Sequence, residues 1–103
     1  MKRQVPWPTP GEILLEEFLN PLGITQYRLA KEIRVSQIRI GEIIAGKRGI
    51  TADTGLRLSR FLGTSESFWT GLQDDFERAQ TKSLIHKTLA SMKPINVVGR
   101  PAM

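Results

Sequence analysis

Residues 25–48, TQYRLAKEIRVSQIRIGEIIAGKR, constrain this chain more than any other stretch. Thr25 and Ser36 are each suited to cap a helix, because a short hydroxyl side chain can accept a first-turn N–H. Between them Leu29, Ala30 and Ile33 recur at helical spacing, and after Ser36 so do Ile40, Ile43 and Ile44. The spacing predicts two short helices joined by a tight turn. Ala30 supplies the small residue needed where the helices cross, and Ile33 and Val35 straddle the turn and face inward. Gly46 suits a left-handed C-cap for the later helix. Its outer face then carries Gln37, Ile38, Gly41 and Glu42, with Lys47 and Arg48 just beyond. Such a pair suits one helix for entry into the DNA major groove while the other braces the backbone.

The flanks supply further helices. Thr9-Pro10-Gly11-Glu12 forms a capping box with proline at the first helical position, and Ile13, Leu14, Phe18 and Leu22 follow. Asn20-Pro21 is expected to end that helix, because the residue before proline avoids the α region. Thr51 caps a fourth helix, whose apolar side is Leu56, Leu58, Phe61 and Leu62 and whose end is Gly63. Ser65 is expected to cap a fifth, containing Phe68, Trp69, Leu72 and Phe76. No strand pair with a hairpin signature is present. The expected fold is all-α, five helices around one core. Residues 1–8 read as an N-terminal arm, residues 9–79 as the domain, and residues 80–103 as an extension that is partly helical through Leu84, Ile85, Leu89 and Met92, then frayed.

A net charge of +5 draws the chain toward polyanions or acidic partners. No apolar run approaches the length of a membrane span, and the N-terminus lacks the apolar core of a secretory signal. With no cysteine, disulfides and thiolate chemistry are excluded, and a reducing cytoplasm is the expected location. His86 is the only histidine, and a zinc site would have to borrow Asp74, Asp75 or Glu77. The adjacent acids Glu16-Glu17 and Asp74-Asp75 point about 100° apart on a helix, which does not make an acid/base couple. No nucleophile motif and no phosphate loop occurs, so neither catalysis, a metal nor a cofactor is expected.

Thr25-Gln26, Leu29-Ala30, Ser36-Gln37, Ile40 and Gly46-Lys47 resemble the lambda-repressor-like, Cro/C1-type (XRE) helix-turn-helix family. The wider chain resembles one subfamily, the HigA-type antitoxins. That likeness rests on PGEILLEEFLNPLGIT at 10–25, IIAGKRGITADTGLRLSRFLGTS at 43–65, and Phe68-Trp69 followed by Leu72-Gln73, and covers about residues 9–79. It implies a five-helix DNA-binding domain that binds a palindromic operator as a homodimer, represses its own operon and silences a RelE-like (HigB-type) mRNA-cleaving toxin. Two alternatives stand beside it: a free-standing phage-type repressor, and a protein-binding module that has lost DNA affinity. The resemblance further implies DNA contacts from the Thr25-Gln26 helix start, with Gln26 on phosphate or a base edge. Ser36 would meet phosphate and Gln37 a base. Ile38 would meet a thymine methyl, Arg39 and Glu42 bases or phosphate, and Lys47 and Arg48 the backbone. Phe68, Trp69, Leu72 and Phe76 close the core or form part of a dimer or partner surface. Three positions depart from the family pattern: Arg34 and Thr9 stand where many relatives have glycine and histidine, and Gly41 interrupts the reading helix.

Overall fold

The computed structural model describes residues 7–95. The first six residues of the expected arm, and the chain beyond residue 95, lie outside that range. Among the described residues all regular structure is helical, in six helices. Helix α1 spans residues 10–22, in three continuous stretches: Pro10–Ile13, a π-helical Leu14–Leu19, and Asn20–Leu22. Then come α2 (Gln26–Ile33), α3 (Gln37–Ile44), α4 (Ala52–Leu62), α5 (Phe68–Leu84) and α6 (His86–Ser91).

The caps predicted at Thr9, Thr25, Ser36 and Thr51 form with their expected geometry. Thr9 and Glu12 close a reciprocal capping box, Thr9 Oγ1 accepting from the Glu12 N–H at 3.0 Å and Glu12 Oε1 from the Thr9 N–H at 2.9 Å. Thr25 Oγ1 accepts from the Arg28 N–H at 3.0 Å, and Ser36 Oγ from the Arg39 N–H at 3.0 Å. Arg34 ends α2 in the left-handed region (φ 61°) and is the one non-glycine residue there among those described. A Cβ in that conformation costs roughly 1 kcal/mol.

Three expectations need correction. Pro21 does not end α1: Asn20 stays α-helical, and the helix stops at left-handed Gly23. The π register accounts for this. The Asn20 N–H reaches back to the Leu15 carbonyl, five residues away, so the ladder is already displaced where proline would remove a donor. Ser65 does not cap α5; Ser67 occupies the N-cap position without a side-chain bond. The Ser65 carbonyl instead accepts from the buried Ser59 hydroxyl at 2.7 Å, tying the α4–α5 connection to α4. Leu56 is 49% exposed, because the inner face of α4 is built from Thr54, Gly55, Leu58 and Ser59. The partly helical extension is present as expected: α5 runs on to Leu84, and a sixth short helix follows a break at Ile85.

The core joins Leu14 and Leu19 of α1, Leu29, Ala30 and Ile33 of α2, Ile40 and Ile43 of α3, Ile50, Leu58, and Trp69 of α5. Trp69 is fully buried and stacks within a cluster of rings, 5.0 Å from Phe18 and 4.9 Å from Phe68 between centroids. Its indole N–H finds no acceptor among the described residues, a cost of about 1–3 kcal/mol that the aromatic packing must outweigh. The tightest contact is between backbones. A Cβ built on Gly11 would lie 1.9 Å from the Ile43 carbonyl oxygen, so α1 rests directly on the C-terminal half of α3. Gly11→Ala must therefore push the helices apart and is expected to cost about 3 kcal/mol in urea unfolding. Gly41→Ala, on the opposite face of α3, is expected to add up to about 1 kcal/mol, the helix-propensity difference.

Candidate nucleic-acid interface

Two short helices, α2 and α3, pack against each other. Gln26 opens α2 and Gln37 opens α3. The two elements meet at Gly41, where a Cβ would lie 3.9 Å from Gln26 Oε1, an ordinary contact, with nothing else within 4 Å. No helix therefore demands a glycine at position 41. Gln37 is exposed, and Ile38 is 75% exposed with no apolar neighbour covering it. Gly41 and Glu42 are half-buried, and Arg39 is half-buried beside them. The inner face of α3 is spent on the core through Ile40 and Ile43, which directs these outer positions to solvent.

The hydroxyls of Thr25 and Ser36 use an acceptor lone pair on their caps, and each keeps its O–H to donate outward. Glu42 and Arg48 pair with each other, Arg48 Nε lying 2.8 Å from Glu42 Oε1. Glu42 thus holds a cation beside α3 rather than pointing away unoccupied. Lys47 is exposed, and its backbone is anchored: its N–H donates to the Glu42 carbonyl at 2.8 Å, and that of Gly46 to the Ile43 carbonyl at 3.1 Å. With Gly46 left-handed (φ 77°) this is a Schellman closure of α3. Lys47 and Arg48 therefore leave the helix end on a defined path.

Two residues to which the sequence pattern gave no role hold this face in place. Arg57 of α4 donates from Nη1 to the Ile33 carbonyl at 2.9 Å, and its Nε pairs with Asp53 at 2.7 Å. It satisfies an orphan carbonyl at the end of α2 and braces the turn carrying Arg34. Gln73 of α5 accepts the Ile50 N–H at 2.9 Å and donates to Glu77 at 2.8 Å, which steadies the segment after Lys47-Arg48. Each is one side chain reaching more than twenty residues away, and no local periodicity marks it.

The four positions weighed as core or partner surface are drawn inward. Trp69 is wholly buried, Phe68 and Leu72 are half-buried against the core, and Phe76 is half-buried. Helical spacing on α5 aligns them toward α1, and Phe18 completes the ring cluster. Trp69 is thus no partner contact; exposed apolar surface lies instead at Leu56 and along Leu84, Leu89 and Met92. His86 is exposed, with Nδ1 3.1 Å from the Ser83 carbonyl, and among the described residues no group of three His, Cys, Asp or Glu is placed to hold a metal ion. No described helix is long and apolar enough to cross a membrane.

A helix-turn-helix family model, HTH_3, matches residues 15–69. Virulence-associated protein I of Dichelobacter nodosus is 46% identical over 76 residues, covering 74% of this chain and 70% of that protein. Antitoxin HigA-1 of Vibrio cholerae is 31% identical over 87 residues, covering 84% of this chain and 82% of that protein. Among solved structures, the Pseudomonas aeruginosa antitoxin HigA with its higBA promoter matches with a TM-score of 0.81 at 34% identity, over 86% of this chain and 98% of that chain.

The bracing role of Arg57 is open to test. Arg57→Ala is expected to lower stability by about 1 kcal/mol. Amide exchange should accelerate at Arg34 and Val35 more than in α5, whereas uniform acceleration would mean that Arg57 does not act on the turn.

Proposed function

The chain belongs to the HTH_3 helix-turn-helix family and, within it, to the HigA-type antitoxins; from that premise we propose that it is a cytoplasmic autorepressor which binds operator DNA as a homodimer and silences a RelE-like toxin. The observation that carries the DNA half of this reading is the outer face of α3. Ile38 stands 75% exposed beside the exposed Gln37, with the half-buried Gln26 over Gly41, and among the described residues neither glutamine side chain has a hydrogen-bond partner. A solvated helix face has no use for an isoleucine there. A thymine methyl in the major groove gives it one, and a glutamine beside it can pair with adenine through N6 and N7.

The rest of the face suits a duplex. Free N–H groups in the first turn of α3 favour a phosphate, and the Ser36 and Thr25 hydroxyls sit ready to donate to the backbone. Lys47, Arg48 and Arg39 supply counter-charge to phosphates, each steepening the salt dependence by about one unit of slope. Glu42 orients Arg48 through their ion pair, so its role is to position a cation rather than to read a base. Gly41 leaves room for a base edge or sugar to approach α3. A single reading helix covers only a few base pairs, and a two-fold dimer repeats the contact about 34 Å away.

The toxin half rests on family membership. A small ribonuclease-like product of the adjacent gene is expected to co-purify with this chain, and failure of the two to associate when co-expressed would sink that half alone. For DNA, gel shifts on the chain's own promoter should give a salt-sensitive complex. Gln37→Ala is expected to weaken promoter binding about tenfold or more while sparing random duplex, and Lys47→Ala to weaken both alike. Gly41→Ala should raise thermal stability and yet weaken promoter binding. Equal loss on promoter and random DNA for Gln37→Ala would remove α3 from the reading role.

A further inference from the structure

Charge within the two-helix unit, residues 25–48, is left unbalanced. Its only acids are Glu32 and Glu42. Both are ion-paired, Glu32 to Arg28 at 3.7 Å and Glu42 to Arg48 at 2.8 Å. Lys31, Arg34, Arg39 and Lys47 have no acidic partner among the described residues. Arg39 and Lys47 flank the outer face of α3. Arg34 stands in the groove between α2 and α4, with Glu32 and Glu66 also on its walls. Lys31 remains, exposed on α2. One turn before it Tyr27 is 62% exposed, and its ring and hydroxyl have no partner among the described residues. Residues four apart share a helix face, about 6 Å apart along the axis. Helix geometry also gives the direction of this stripe. Gln26 points to α3, its Oε1 lying 3.9 Å from where a Cβ on Gly41 would be. At about 100° per residue, Tyr27 and Lys31 lie about 100° and 140° round from Gln26, and Glu32 about 240°. Glu32 and Ile33 line the groove with α4, whereas Tyr27 and Lys31 do not. The stripe therefore flanks the contact with α3 on the side away from α4.

We propose that Tyr27 and Lys31 clamp the DNA backbone beside the groove that α3 enters, the tyrosine hydroxyl donating to one phosphate oxygen and the lysine ammonium pairing with another. The inference rests on the DNA-binding reading and extends it to α2. In helix-turn-helix docking the first helix crosses the backbone. Here that helix offers a cation and a free hydroxyl on one stripe, with no acid among them, while its other exposed stripe, Arg28 with Glu32, is neutral within itself. A phosphate gives both free groups the partner they lack. The tyrosine ring is a stiff stem with two side-chain torsions, so fixing its hydroxyl costs little entropy. Phosphate contacts carry no base preference. The clamp therefore adds affinity and holds register, and leaves the reading of sequence to α3.

Fluorescence anisotropy of the full chain on its own promoter and on random duplex, across a salt series, tests this. Lys31→Ala is expected to weaken both complexes alike and to reduce the salt slope by about one unit, the mark of one lost phosphate contact. Tyr27→Phe removes a single oxygen. It should weaken both complexes about threefold and leave the slope unchanged, because the lost donor is neutral. Arg28→Ala, on the paired stripe, should stay within about twofold of wild type with the slope unchanged. All three positions are solvent-exposed, and unchanged helical circular dichroism and melting would show that the variants fold. Lys31→Ala with the wild-type slope, or Tyr27→Phe with wild-type affinity, overturns the clamp while sparing the α3 reading. An equal loss of slope in Arg28→Ala does the same, since α2 would then act through its overall charge and not by contact. Loss confined to the promoter would make the residue a base reader and also overturns the clamp. So does loss of repression in cells with DNA binding intact, which would give the stripe to a protein partner. A wild-type chain that binds neither duplex overturns the DNA-binding reading and the clamp with it.

Discussion

The orientation of α3 depends on one backbone contact, the seating of Gly11 against the Ile43 carbonyl. Because no side chain separates them, α1 holds the C-terminal half of α3 at a fixed distance, and Ile40 and Ile43 are pressed into the core. The other end of α3 is held through the turn, where Arg57 reaches across from α4 to the last carbonyl of α2. A helix of eight residues is too short to be stable alone. Clamped at both ends, it can afford an outer face whose residues contribute nothing to packing.

That division of labour explains the places where the chain breaks local rules. Arg34 accepts a left-handed backbone at the turn, and Gly41 gives up helix propensity on a face where no atom of the described residues requires it. Ile38 forgoes burial altogether. Local departures of this kind concentrate at functional surfaces, and here all three lie in or beside the same two-helix unit. The stabilising contacts sit elsewhere, in the Phe18–Phe68–Trp69 rings and the reciprocal Thr9–Glu12 box.

Much of this was legible in the sequence because it is encoded locally. Thr9, Thr25, Ser36 and Thr51 announce their helices, and Gly46 and Gly63 their ends, since caps act over three or four residues. The outer face of α3 followed from the spacing of its isoleucines. What pattern could not supply was set by longer reach or by unusual hydrogen bonding. The π stretch that carries α1 through Pro21 leaves no compositional trace. Ser65 resembles a cap, yet its backbone oxygen is the group that matters, bonded to Ser59. Leu56 belongs to an apolar run but faces outward, since Thr54 and Gly55 are the residues that allow α5 to approach α4. The pairing of Glu42 with Arg48 spans six residues past the end of α3, a contact that helical spacing does not announce.

The most direct measurement is a hydroxyl-radical footprint of the wild-type chain on its own promoter. Two protected windows are expected on one face of the duplex, related by a two-fold axis and centred one helical turn, about 34 Å, apart. They should persist in excess random DNA. Protection that is uniform along the fragment, or that random DNA removes completely, would contradict a sequence-reading role for α3.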